Sequence, residues 1–124
     1  KILKTAISLK DGIKQWGNVG GLVAGLYEED YDLISRSLED HIVEPIRSML
    51  IPGYDKLKSA AVEAGALGVG ISGSGPSVFA LSKGASKAAE VAEAFRKAYM
   101  AVEVPFEIHV SKINQEGIKV LEKW

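Results

Sequence analysis

The order of elements along this sequence predicts an α+β domain, a mostly antiparallel sheet with helices packed on one face. Three observations carry that prediction. Residues 8–64 place apolar side chains at helical spacing behind capping residues, and residues 65–81 run as strand, tight glycine loop, strand. Further on, Val104, Phe106, Ile108 and Val110 alternate with Pro105, Glu107, His109 and Ser111, the clearest strand pattern in the chain. At 124 residues a single domain, 1–124, with one core is expected.

Residues 1–7 read as an arm leading into the first helix. Ser8-Leu9-Lys10-Asp11 fits a capping box, in which the serine oxygen takes a free helix N–H and the carboxylate three residues on reaches back. Ile13, Trp16, Gly20, Val23 and Tyr27 then share one helical face, as in a plain core helix. Gly17, Gly20, Gly21 and Gly25 each cost roughly 1 kcal/mol relative to alanine inside a helix, so close packing against another element is expected there.

Asp30-Tyr31-Asp32 begins a short second helix with Leu33, Ile34 and Leu38 on its apolar side. Pro45 lacks an N–H and crowds the preceding turn, so it is expected to end or kink whatever runs through Glu39 to Val43, leaving Arg47 at a fixed bend. Ile51-Pro52-Gly53 is a turn. Tyr54, Leu57, Ala61 and Ala64 mark another amphipathic helix, stopped by Gly65.

Two strands follow around Ser72-Gly73-Ser74-Gly75-Pro76-Ser77. Here glycines remove the Cβ barrier to positive φ, Pro76 fixes one φ, and the serines set hydroxyls beside exposed backbone N–H groups. The pattern suits either a ligand-free glycine-rich turn or a loop that approaches an anion closely. It is not a Walker A loop, since no Gly-Lys-Ser/Thr follows, and it is not a dinucleotide fingerprint, since a strand rather than a helix resumes at Val78. Lys83-Gly84 then turns, Ser86 caps a helix over residues 87–100 with Val91, Phe95 and Ala98 inward, and a turn through Asn114 to Gly117 leads into a closing strand, Ile118-Lys119-Val120-Leu121.

Composition narrows the function classes. An apolar fraction of 47%, a charged fraction of 25% and a formal net charge of -1 describe an ordinary globular protein without a bias toward nucleic acid or anionic membrane. There is no cysteine, which excludes disulfides and thiolate metal sites and is compatible with the cytoplasm. No apolar run approaches the ~20 residues that span a bilayer. His41 and His109 are the only histidines and form no metal-ligand spacing, and Trp16 and Trp124 lack interleaved basic residues, reading as packing and tail residues.

Among polar side chains Arg47 stands out, because a guanidinium presents planar paired donors that match a carboxylate. From the residues alone the better reading is a surface arginine following a proline. Asp40 and Glu44, just before it, are either solvated or placed to orient it.

Ile71-Ser72-Gly73-Ser74-Gly75-Pro76-Ser77 resembles the third, C-terminal motif of the GHMP small-molecule kinases. The stretch Asp40-His41-Ile42-Val43-Glu44-Pro45-Ile46-Arg47, followed by Ile51-Pro52-Gly53-Tyr54, is similar to the homoserine kinase branch of that family, with Ile46 where a tyrosine is usual. The likeness runs from about Ser8 to Leu121 but covers only the C-terminal half of the family's proteins.

The resemblance implies a ferredoxin-like fold and a parent enzyme that phosphorylates the side-chain hydroxyl of homoserine with ATP and Mg2+ on the way to threonine. It implies that Arg47 binds the substrate carboxylate. Gly73, Ser74 and Gly75 would wall the substrate cleft and support the phosphate-binding loop. No catalytic residue and no metal ligand is assigned to this chain. The ATP-binding half is not in it, nor is an initiating Met, so a C-terminal piece, inactive alone and carrying no cofactor by itself, is expected. Its partners would be its own N-terminal kinase domain and the substrate, with a homodimer as a further candidate. Competing readings are another GHMP kinase, a stand-alone ferredoxin-like ligand-binding or regulatory module, and a structural dimerisation domain.

Overall fold

In a computed structural model that describes residues 3–122, the chain is α+β, and its helices fall into two groups around one short hairpin. The elements are α1 (Leu9–Glu28), α2 (Tyr31–Ser37), α3 (Glu44–Arg47), a 3₁₀ turn (Ser48–Leu50), α4 (Tyr54–Glu63), β1 (Gly68–Ile71), β2 (Val78–Leu81) and α5 (Gly84–Met100). Trp124, expected as a tail residue, lies outside the described residues. Among them, no helix is long and apolar enough to cross a membrane.

β1 and β2 pair antiparallel, with Val69 opposite Ala80 and Ile71 opposite Val78. One face of this hairpin carries Val69, Val78 and Ala80 into a cluster with Ala61 of α4, Ala66, and Val91 and Phe95 of α5. This is the core, and Val69 at 1% exposure is its most enclosed large side chain. The other face is met by Leu38, so close to Gly68 that a Cβ there would stand 2.6 Å from it.

Local chemistry explains most boundaries. Ser8 caps α1, its oxygen accepting the Asp11 N–H at 3.1 Å while its hydroxyl donates to the Asp11 carboxylate at 2.7 Å. Asp30 caps α2 by accepting the Leu33 N–H at 2.9 Å. Pro45 acts differently from expectation. No helix runs through Glu39 to Val43; Pro45 sits in the first turn of α3, where its missing N–H costs nothing and its fixed φ favours helix entry. α5 also begins earlier than expected, at Gly84 rather than Lys87, and Ser86 lies inside the first turn instead of capping it.

The largest departures are at the two ends. α1 forms as expected, but Ile13, Trp16, Val23 and Tyr27 are between 51% and 86% exposed. The helix meets α2 with another side instead. A Cβ at Gly25 would come within 3.0 Å of Ile34, and one at Gly21 within 2.5 Å of the Ser37 hydroxyl, so these two glycines permit the approach that fixes which side turns inward. At the other end, residues 104–122 are not assigned as strand, although their alternation holds. A strand needs a neighbour to take its N–H and C=O groups, and among the described residues no backbone hydrogen bond joins this segment to another. Phe106 in this segment lies edge-on to Tyr99, with ring centroids 5.4 Å apart.

Candidate functional site

The loop between the strands is built by its backbone. Ser72 N–H donates to the Ser77 carbonyl at 2.8 Å and Gly75 N–H to the Ser72 carbonyl at 3.2 Å, closing a tight turn at the hairpin's end. Gly73 and Gly75 have φ of 59° and 75°, which makes glycine the fitting residue at both. Gly73 has open space where a Cβ would be.

Facing this loop is α3. At four residues it is too short to hold itself together by internal hydrogen bonds, so outside groups must fix it. Asp40 does so at its start, one carboxylate oxygen accepting the N–H groups of Ile42 and Val43 at 2.8 Å each and the other that of Glu44 at 3.2 Å. The N–H groups of Val43 and Glu44 are among the donors a helix N-terminus leaves unsatisfied, and a negative charge there also complements the helix dipole. Glu44 turns inward, only 9% exposed, and accepts from Lys58 of α4.

Arg47 ends α3 and reaches the glycine loop, its Nη1 donating to the Ser74 carbonyl oxygen across 27 residues of sequence. Its other N–H groups have no hydrogen-bond partner among the described residues. Between them lies a cavity of about 170 Å³, bounded by Arg47, Leu50 and Ile51 on one side and by Ile71 and residues 74–76 on the other. One cationic fork set in mostly apolar walls, beside a loop of backbone dipoles, can grip a small anion bearing a short aliphatic chain.

The residues singled out in the sequence are therefore only partly gathered at one place. Arg47, Ser74 and Gly75 line the cavity, whereas Gly73 shapes the same loop from outside the lining. Asp40 and Glu44 do not touch the guanidinium, since Asp40 holds backbone and Glu44 holds Lys58. His41 and His109 each lie beside a glutamate, at 3.6 and 3.4 Å, and neither lines the cavity.

Lys58 was not singled out by the sequence, and Tyr54 was read only as a helix-face residue and as part of the family stretch. The available signal was Glu44 itself, a carboxylate set among Ile42, Val43, Pro45 and Ile46, which calls for a cation from elsewhere. The Tyr54 hydroxyl and Glu44 Oε2 are both buried without a hydrogen bond of acceptable geometry among the described residues. Burial, reinforced by the negative charge of Glu44 and then of Asp40 and Asp55, pushes the Tyr54 phenol well above its ordinary range, so it stays protonated.

Comparison with known proteins places these features in a family. Residues 22–101 match the family model described as GHMP kinases C terminal. The chain is 50% identical over 122 residues to a homoserine kinase of Chlorobium phaeovibrioides, covering 97% of this chain and 38% of that protein. A homoserine kinase of Pyrococcus furiosus is 39% identical over 115 residues, covering 93% of this chain and 38% of its own. A crystal structure of homoserine kinase from Cytophaga hutchinsonii superposes with a TM-score of 0.90 at 53% identity, over 94% of this chain and 37% of that one. The chain thus spans a little over a third of the length of the curated relatives it matches.

Proposed function

The chain belongs to the GHMP kinase family, whose C-terminal domain it matches, and from that premise we propose that it is the substrate-side part of a homoserine kinase. The parent enzyme transfers a phosphoryl group from ATP to the side-chain hydroxyl of L-homoserine, a cytoplasmic step toward threonine. The observation that carries this reading is the meeting of Arg47 with the glycine loop around a small cavity. Homoserine presents a carboxylate and a short aliphatic arm. Arg47 binds the carboxylate through its unpaired N–H groups, and the loop of Gly73, Ser74 and Gly75 holds the arm by shape and backbone dipoles.

ATP and Mg2+ supply the transferred group and the charge neutralisation when bound. Among the described residues no three metal-ligating side chains converge. In this reading the nucleotide and its metal belong to the parent's N-terminal kinase domain, and the present chain alone is inactive. The exposed apolar side of α1 supports such a partner, since apolar patches of this kind mark surfaces that another body covers.

The test is Arg47→Lys in the full-length parent, which keeps the charge and loses the fork. The KM for homoserine should rise by about tenfold or more, the loss of one charge-assisted hydrogen bond, while the KM for ATP moves much less. An unchanged KM for homoserine would sink the assignment.

A further inference from the structure

We infer that Lys58 is a positioning residue for substrate binding, acting through Glu44 to set where Arg47 stands. The inference rests on the reading of Arg47 given above. Glu44 and Arg47 belong to the same single helical turn, one at its first position and one at its last. That turn is held from outside at two points. Asp40 fixes the backbone at its entry, and Lys58, reaching across from α4, fixes the Glu44 side chain.

Glu44 is the one buried carboxylate among the described residues, its side chain 12% exposed against 30% for Lys58. A carboxylate in that setting requires a compensating cation, and among the described residues Lys58 is the one that pairs with it. Without the ammonium, the buried Glu44 carboxylate is left with no counter-charge, and the turn that carries Arg47 loses one of its two outside holds. The guanidinium would then lose its fixed approach to the Ser74 carbonyl and to whatever anion enters the cavity. Small displacements are enough, because misplacing a binding group by about 1 Å costs up to about a hundredfold in rate or affinity.

Steady-state kinetics on the full-length parent test this, with thermal stability measured alongside. Lys58→Met should raise the KM for homoserine about tenfold and leave that for ATP within about twofold, while Lys58→Arg, which can still reach Glu44, should stay within about threefold of the parent. A purely structural role predicts a lower melting temperature with an unchanged KM for homoserine, and that result overturns the inference. If Lys58→Met does not fold, the double variant Glu44→Gln/Lys58→Met removes the buried charge with its partner. A raised KM for homoserine in that stable background supports positioning, and a return to the parental value overturns it. Arg47→Lys separates the two levels of argument: if it raises the KM for homoserine and the Lys58 variants do not, only the positioning role fails, whereas no effect at Arg47 removes both.

Discussion

The segment from Asp40 to Met100 and the two ends of the chain dispose of their apolar and polar groups in opposite ways. In the middle, Ile51, Tyr54, Leu57, Val69 and Val91 are almost fully buried, and Asp40 satisfies three backbone donors by itself. At the ends, α1 presents Ile13, Trp16, Val23 and Tyr27 outward, and residues 104–122 keep a strand-like alternation with Val110 and Ile118 uncovered. The middle owes its order to contacts within the chain. The ends have the sequence of buried elements without the surfaces that would bury them, the physical signature of an interface.

One chemical change at two places breaks or sharpens that contrast most strongly. Leu57, 2% exposed, should cost about 2–5 kcal/mol of unfolding free energy when changed to Ala. Leu9, 71% exposed, should cost less than about 0.5 kcal/mol by the same change in the present chain, measured by urea denaturation. A large effect at Leu9 would mean that its face is already covered, with a second copy the first candidate; sedimentation at two concentrations identifies that case.

A smaller effect divides α1 itself. Gly25→Ala forces a Cβ to 3.0 Å from Ile34 and should destabilise by about 1–3 kcal/mol. Gly17→Ala meets nothing within 4 Å and should instead stabilise by about 0.5–1 kcal/mol, since alanine is the better helix former. Equal responses at the two positions would contradict the α1–α2 packing.

The smallest effect is a dependence on pH. The folded state holds the Tyr54 proton above its ordinary pKa of 10.0, so this contribution is complete below that value and is lost as the pH rises past it. Between about pH 10 and 11 the unsubstituted chain should therefore lose stability relative to Tyr54→Phe, read from the shift in urea midpoint. Parallel curves would show that the phenol titrates freely.

Much of this was legible in the sequence because it is local. Ser8 and Asp30 announce helix starts through groups three residues away, and the glycine loop declares its own conformation. Arg47 was readable for a different reason, through the family motif around it. What escaped depends on distance or on a partner. Periodicity placed Trp16 and Tyr27 on one face of a helix without saying which face turns inward, and that was decided by Gly21 and Gly25 meeting α2. The alternation at Val104 to Val110 specifies a residue's side but not its neighbouring strand. Lys58 meets Glu44 from 14 residues away, through a turn whose course no short pattern encodes.

The contact between Arg47 and residue 74 goes to a carbonyl oxygen, not to the serine hydroxyl. Every amino acid carries that oxygen, so the identity of residue 74 is free to drift over evolutionary time without loosening the latch, provided the chain keeps its path through the loop. Selection at this corner should accordingly fall on the glycines that set the path and on the arginine that reads it, with position 74 left as the place where related enzymes can vary their reach into the cleft.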